Sequence, residues 1–433
     1  MARDTAQNDA TEIDLDQEGG SGIDLTRLYK LWEANNWSAF AIDLTQDALD
    51  WRERVTPAQR TAARWNYAMF VHGEEAVART LAPFVTAAPT QEQRIFLTTQ
   101  IVDEARHHVF FDRVMREVLG ESGGYEDVLA AVQPELTPGF RRVFGELDRI
   151  TDQLRRQPTN LALYAQSIAL YHLVVEGTLA HPGQHFMLEY LQKFGVMAGF
   201  REGIGHVARD ESRHMAFGIQ ALGELVAGDV AIRRAVIRLL NRVLPWAVSV
   251  LAPPNLDFTY LRSFDIEVVD LYAFSLRSLE AKLGRAGIQP GEVVALVKLG
   301  ADDPVVTQAE RALALLKAGM VGDVAPLLVN EETQALLFGA VERVANMGAA
   351  HALPVIQWEF TDAEPWYLAP DAGRVRAQRG RASTPALTLR LAALDWARIA
   401  TQKLDPRVAL LTRRMTVGGD WRLALRLPAL LGA

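Results

Sequence analysis

Two short segments with the same pattern constrain this chain more than any other feature of its sequence. Residues 103–107 read Asp-Glu-Ala-Arg-His and residues 210–214 read Asp-Glu-Ser-Arg-His. Residues three apart project from one face of an α-helix, so each segment predicts a helix carrying a carboxylate and an imidazole side by side. The faces around Glu104 and Glu211 are otherwise largely apolar. Both glutamates are therefore expected to be buried, where an ionised carboxylate needs a cation as its partner.

Two Glu-x-x-His helices, with one glutamate from each of two further helices, form the ligand pattern of ferritin-like dimetal sites. Glu74 interrupts an otherwise apolar helical stripe, whereas Glu75 shares its face with His72 and Arg79, as in a surface ion pair. Glu176 is the only acid in a long apolar helix. The predicted metal ligands are Glu74, Glu104, His107, Glu176, Glu211 and His214.

Each paired segment also begins with an aspartate. A histidine bound to a metal usually donates its other ring N–H to a carboxylate, which fixes its tautomer. We therefore predict that Asp210 supports His107 and that Asp103 supports His214; the alternative is that both are surface aspartates. His172, one turn before Glu176, is interpreted as a core or supporting histidine rather than a ligand.

The composition limits the kinds of site that are possible. There is no cysteine, which excludes disulfides, thiolate metal sites and cysteine nucleophiles. No apolar run approaches the roughly 20 residues of a membrane-spanning helix. Residues 1–22 are polar and acidic, and we expect a disordered tail without a signal peptide and a cytoplasmic location.

The first two thirds of the chain predict long helices, and the last third does not. Helix starts are predicted at Thr56-Pro57, at a capping box of Thr90 with Gln93, at Thr137-Pro138 and after Thr159-Asn160. We expect the helix after Asn160 to end at Ala180. Helices of this length without heptads favour a large antiparallel bundle, placed at residues 23–295, followed by a linker or helix at 296–324.

Residues 325–433 predict a separate small α+β domain. After a helix from Glu331 to Met347, residues 356–360 and 387–391 alternate apolar and polar side chains as strands do. Asp371 to Gly373 and Gly418 to Asp420 predict turns, and residues 395–401 a short helix. Residues 370–433 hold twelve Lys/Arg and four Asp/Glu, a charge of +8 in a chain of net charge −8. This surplus predicts either a solvated surface or a functional basic face, and no motif supports nucleic-acid binding.

At residues 25–290 the chain resembles the ribonucleotide reductase small-subunit superfamily, and more closely its ligand-binding oxidase branch. Residues 31–47 and the Gly-Glu-Glu-Ala-Val element at 73–77 carry this resemblance. It implies a manganese–iron site, with di-iron as the alternative, that activates O2 and binds a long-chain fatty acid. It also implies an ether cross-link between a valine and a tyrosine, here Val77 and Tyr171. The alternative for these two residues is ordinary core packing.

One departure argues against ribonucleotide reduction itself. The superfamily's radical tyrosine lies four residues after the first ligand histidine, and Phe111 occupies that position here. Trp37 could correspond to the superfamily's redox tryptophan or could be a core residue.

The C-terminal domain resembles a sterol carrier protein type-two domain in residues 357–368 and 404–420. That fold encloses an apolar tunnel for lipids, although the same apolar faces could form a packed core. The sequence thus predicts a mainly α protein: a ferritin-like oxidase acting on a hydrophobic ligand, with an appended lipid-carrier-like domain. We also expect a homodimer and an electron donor that the sequence does not identify. The alternatives are a lipid-binding or lipid-sensing metalloprotein without turnover and a ribonucleotide reductase small subunit.

Overall fold

The computed structural model of the chain describes residues 24–122, 125–347 and 353–424. The tail predicted at residues 1–22 lies outside them. The described residues divide into two compact units, one comprising residues up to 243 and 250–288, and the other residues 244–249 and 289 onward. The domain boundaries drawn from the sequence, at 295 and 325, stay predictions.

The first unit is built from helices, and their bounds in the described residues are as follows. They are α1 Leu25–Ala34, α2 Thr45–Glu53, α3 Pro57–Thr80, α4 Ala82–Ala87, α5 Gln91–Arg113, α6 Tyr125–Val132, α7 Pro138–Arg156, α8 Leu161–Ile168, α9 His181–Phe194, α10 Ala198–Gly228, α11 Val230–Ala247, α12 Thr259–Arg262 and α13 Val268–Arg285.

Polar caps start these helices as predicted, with one correction. Thr56 and Gln59 form a reciprocal capping box at the start of α3. Thr90 also caps α5, by accepting a hydrogen bond from the Gln93 backbone N–H. The prediction of a reciprocal box there was wrong, because the Gln93 side chain is buried and instead accepts a hydrogen bond from the Tyr164 hydroxyl.

The predicted end of a helix at Ala180 was also wrong. Residues Ala169–Ala180 form a π-helical segment that joins α8 to α9, so helical backbone continues to Phe194. A shorter π turn, Val114–Val118, extends α5. In a π-helix the backbone hydrogen bonds join residues i and i+5, and such segments are rare and frequently lie at functional sites.

The second unit combines helices with one sheet. Its helices are α14 Val294–Leu299, α15 Val305–Lys317, α16 Glu331–Ala345, α17 Ala393–Ala400, α18 Pro406–Leu411 and α19 Trp421–Ala424. Its strands are β1 Ile356–Phe360, β2 Trp366–Asp371, β3 Arg374–Arg379, β4 Leu387–Leu391 and β5 Met415–Gly419.

The five strands lie in the order β3-β2-β1-β4-β5. Strands β1 and β4 pair in parallel, with Ile356 opposite Leu387, and the other neighbours pair antiparallel. The two strands predicted from alternation are confirmed with the same bounds, as is the turn at Asp371 to Gly373. Gly418 and Gly419, predicted as a turn, instead end β5 beside β4.

An aromatic cluster fills the interior of the second unit. Phe338 from α16 stacks on Trp366 at a ring-centroid distance of 4.6 Å and on Trp396 at 5.3 Å. Trp358 of β1 lies 5.2 Å from Trp396 and is fully buried.

No helix in the described residues is both long and apolar enough to cross a bilayer.

Candidate metal centre

Four neighbouring helices of the first unit bring the six predicted ligands together. Helix α3 supplies Glu74, and the π segment between α8 and α9 supplies Glu176. Helices α5 and α10 each supply a Glu-x-x-His pair. All six side chains are buried, with at most 6% of any residue exposed.

The six side chains form two overlapping groups of four. One group is Glu74, Glu104, His107 and Glu211, and the other is Glu104, Glu176, Glu211 and His214; within each, the ligand atoms lie within 4.8 Å of one another. Glu104 and Glu211 belong to both groups, as carboxylates that bridge two ions do. The cluster could therefore hold two metal ions, one at each histidine.

Several buried polar atoms of this cluster have no hydrogen-bond partner in the described structure, which fits that interpretation. Nδ1 of His107 and of His214 is buried and accepts or donates no hydrogen bond within the described structure. One carboxylate oxygen in each of Glu74, Glu176 and Glu211 is likewise buried without a hydrogen-bond partner. Buried polar atoms are rarely left unpaired, because each costs the free energy of its desolvation. Nitrogen and carboxylate oxygen are also the donor set that manganese and iron take in proteins.

The formal charges agree as well. Four ionised glutamates carry four negative charges, which two divalent ions would neutralise. Around them, Asp103 and Asp210 are balanced by two arginines from the repeated segments: Arg106 lies 3.1 Å from Asp103, and Arg213 contacts both aspartates. A site balanced in this way avoids the penalty of uncompensated buried charge.

Burial and neighbouring charges shift the pKa values of the ligand side chains. Burial raises the pKa of Glu74 to about 8, and burial likewise raises the pKa values of Glu176 and Glu211. Burial by itself would lower the pKa of His107, but the nearby carboxylates of Asp210 and Glu104 outweigh that and raise the pKa well above the usual value. Metal binding at such a site must release protons, since the metal binds the deprotonated carboxylates and neutral imidazoles.

The structure pairs the two aspartates with the histidines of the opposite helices. His107 Nε2 lies 3.2 Å from Asp210 Oδ2, and His214 Nε2 lies 3.2 Å from Asp103 Oδ2. Both contacts leave Nδ1 facing the glutamates, as a metal-binding tautomer requires. Both aspartates are at most 1% exposed, so the alternative of surface aspartates does not hold.

Tryptophans of the N-terminal segment complete this outer layer. Trp32 Nε1 donates to Asp103 Oδ1 at 2.9 Å, and Trp37 Nε1 donates to Asp210 Oδ2 at 2.8 Å. Trp37 is half-buried and stacks on His206, so it lies at the edge of the site rather than inside the core. Its redox role stays a prediction.

Glu75 and His172 lie where the sequence places residues that are not ligands. Glu75 is paired with Arg79 at 3.6 Å on the outer face of α3. The His172 Nε2 atom contacts Gln100 Oε1 at 3.1 Å, and the Gln100 amide donates to Glu176 at 2.9 Å. Gln100 thus joins His172 to the cluster, a link that the sequence analysis did not identify because a buried glutamine leaves no distinctive spacing.

A narrow cavity reaches the glutamates from one side. It encloses about 620 Å³ of space between side chains, part of it open to solvent, and all four glutamates contribute to its wall. Val77 and Tyr171 line it too, together with apolar residues such as Phe70, Phe144 and Leu179. The Tyr171 hydroxyl donates to Glu104 Oε1 at 2.7 Å. Tyr171 and Glu176, five residues apart, face the same cavity because the backbone between them is π-helical.

Phe111 is buried behind the cluster, stacked on Phe70 at a centroid distance of 5.3 Å. The position where ribonucleotide reductase subunits carry their radical tyrosine therefore has no hydroxyl in this chain.

Comparisons with known proteins agree with this geometry. The sequence profile of the family described as ribonucleotide reductase, small chain, matches residues 24–239, and that of the SCP-2 sterol transfer family matches residues 341–432.

Solved structures of R2-like ligand-binding oxidase variants are similar to the first unit. One, with an aerobically reconstituted Mn/Fe cofactor, is 25% identical, has a TM-score of 0.53, and the match covers 61% of this chain and 94% of that one. A second, also with an aerobically reconstituted Mn/Fe cofactor, is 24% identical with a TM-score of 0.53, over 61% and 93% of the two chains. A third, reconstituted anaerobically, is 24% identical with a TM-score of 0.51, over 63% and 95%. Residues 24–239 thus form a domain of the ribonucleotide reductase small-chain family, similar in fold to R2-like ligand-binding oxidases, and residues 341–432 form a domain of the SCP-2 sterol transfer family.

Proposed function

We propose that this protein is an O2-activating dimetal oxidase that acts on a fatty-acid-like ligand held in the cavity beside its metals. The observation that carries the proposal is the cavity itself, in which four glutamates share one space with apolar side chains. A carboxylate or other oxygen headgroup would lie toward the metals and a hydrocarbon chain along the apolar wall. The solved neighbours, described as ligand-binding oxidases with Mn/Fe cofactors, support this assignment.

The six residues, with Glu104 and Glu211 common to both groups, would hold a manganese–iron or di-iron pair. Such metals supply the reduction of O2 and the removal of hydrogen from an unactivated C–H bond. The protein contributes orientation: Asp103 and Asp210 fix the two imidazoles, and the apolar wall holds the hydrocarbon chain of the ligand.

We further propose that Val77 and Tyr171 become joined by an ether bond. Both line the cavity, and the Tyr171 hydroxyl already donates to Glu104, which gives its proton an acceptor. Burial raises the pKa of Tyr171 well above its usual value, so the phenol stays protonated until the reaction. Joining a Val77 carbon to the phenolic oxygen removes one hydrogen from each residue, and O2 takes up the two electrons and two protons.

Peptide mass spectrometry tests the cross-link. After aerobic loading with manganese and iron, the peptides holding Val77 and Tyr171 should appear as one species lacking two hydrogens. Loading without O2, and the Tyr171→Phe variant, should give two separate peptides. Separate peptides from the aerobic wild-type protein as well would contradict this part of the proposal.

Turnover is a separate question, because the SCP-2 domain also suits a protein that binds or senses lipid without catalysis. O2 consumption distinguishes the two functions. An oxidase should consume O2 beyond one equivalent when a fatty acid and a reductant are supplied, whereas a binding protein should stop after its metals have reacted once.

A further inference from the structure

A second apolar cavity lies in the first unit, away from the glutamates. It encloses about 770 Å³ of space between side chains, part of it open to solvent. Its wall includes Trp51, Ala63, Phe186, Leu261 and Ile266, and no charged residue contributes to it. We call it the distal cavity, and the one beside the glutamates the metal-side cavity.

The two cavities share part of their walls. Asn66, Met69, Gly183 and Leu251 line both of them. Asn66 and Met69 lie one turn apart on α3, and Gly183 lies in the first turn of α9. These four residues lie at the boundary between the two cavities, and we call them the shared wall.

Gly183 is the residue of the shared wall that has no side chain. A Cβ atom at residue 183 would lie 3.3 Å from Cζ of Phe70, whose ring lines the metal-side cavity. Any branched side chain there would therefore project into the space between α9 and α3. A glycine in the first turn of a helix gains nothing for helix stability, so its lack of a side chain matters here for space.

We infer that the distal cavity receives the far end of the hydrocarbon chain and so sets the chain length that this protein prefers. The inference rests on the proposed function, since it assumes a fatty-acid-like ligand with its headgroup at the glutamates. The charged wall residues all line the metal-side cavity, and none lines the distal cavity. A long amphipathic ligand would therefore bind in one orientation, with its headgroup at the glutamates. A short acid would fit within the metal-side cavity, and a longer one would cross the shared wall beside Gly183.

Chain-length dependence follows from the burial of methylene groups. Each CH2 that leaves water should tighten binding about fourfold, as long as it finds apolar space. In the wild-type protein the gain should continue from octanoate through dodecanoate to hexadecanoate. Where the distal cavity is closed or filled, the gain should stop once the metal-side cavity is full.

The test is the dissociation constant of each of these three acids, measured by calorimetry on metal-loaded protein. Gly183→Val closes the shared wall, and Ala63→Leu fills the distal cavity without touching the shared wall. Ala63→Leu should bind octanoate as the wild type does, and both variants should bind hexadecanoate at least about tenfold more weakly. Gly145→Val is the matched control, because Gly145 is an exposed helical glycine whose added Cβ would meet nothing within 4 Å.

The outcomes separate this inference from the proposed function. If both variants bind hexadecanoate as tightly as the wild type, the distal cavity does not hold the chain, although a fatty acid still binds beside the metals. If the metal-loaded wild type binds none of the three acids, the fatty-acid part of the proposed function is wrong, and the inference falls with it. Metal content equal to that of the wild type shows that each variant has folded.

Discussion

The interiors of the two units are built on opposite principles. In the first, six ionisable side chains are buried together, and several of their polar atoms have no hydrogen-bond partner in the described structure. In the second, aromatic rings pack on one another, with Phe338, Trp358 and Trp396 at the centre. A buried charge is costly unless an opposite charge is paired with it, so the first interior indicates that a cation binds there. Aromatic packing stabilises a fold by itself, so the second interior specifies a domain and leaves its ligand open.

Removing a shared glutamate should break the first interior most completely. Glu104 belongs to both groups of ligands, so Glu104→Ala should reduce bound metal from about two ions per chain to nearly none. Glu75→Ala is the control, because Glu75 pairs with Arg79 outside the site. Elemental analysis of both purified variants decides the point; substantial metal in Glu104→Ala would exclude it as a shared ligand.

The second interior should respond to lost volume rather than to lost charge. Trp358 is fully buried, and Trp358→Ala should destabilise the second unit by about 3–5 kcal/mol. Trp358→Phe should cost much less, because it keeps an aromatic ring and removes an indole N–H that has no partner in the described structure. Hydrogen exchange of the backbone amides in β1 and β4 measures both effects. Metal content should stay at the wild-type value in both variants, and a loss of metal would show that the two interiors are not independent.

Changes to the supporting aspartates should have a smaller effect on the first interior. Asp210→Asn keeps the shape of the side chain but weakens the acceptor for His107, and Asp103→Asn does the same for His214. Loss of such a supporting carboxylate typically weakens metal binding by about 10- to 100-fold. Competition with a chelator should show that weakening in each variant and none in Asp112→Asn, whose carboxylate pairs with Arg116 outside the site. Unchanged affinity in both variants would remove the aspartates from the site.

The metal cluster could be predicted from the sequence because each ligand obeys a simple rule of helical spacing. Glu104 with His107 and Glu211 with His214 are three residues apart, and Glu74 is the one acid in an apolar stripe. Their buried environment excludes most other interpretations. Whether each of these residues binds metal is still a prediction, which the variants above would test.

What the sequence did not reveal has physical reasons too. The π-helical backbone of residues 169–180 was not predicted, because nearly every side chain in it is apolar and no face contrasts with another. Strands β2, β3 and β5 were not predicted either, since β3 is rich in arginine and β5 ends in two glycines. Trp32 and Gln100 contact the site through pairings between distant segments, which residue spacing does not encode.

The arginine surplus near the C-terminus is largely explained by ion pairs. Arg376 and Arg379 of β3 pair with Glu342 and Glu331 of α16, and Arg414 pairs with Asp395. These contacts favour the solvated surface over a functional basic face.

The central claim is that the buried cluster holds two metal ions, and their stoichiometry tests it most directly. Elemental analysis of the purified wild-type protein, supplied with manganese and iron during expression, should find about two transition-metal ions per chain. Anomalous diffraction from its crystals should place both ions among Glu74, Glu104, His107, Glu176, Glu211 and His214. Protein that folds normally but holds no metal, or holds it elsewhere, would contradict the account.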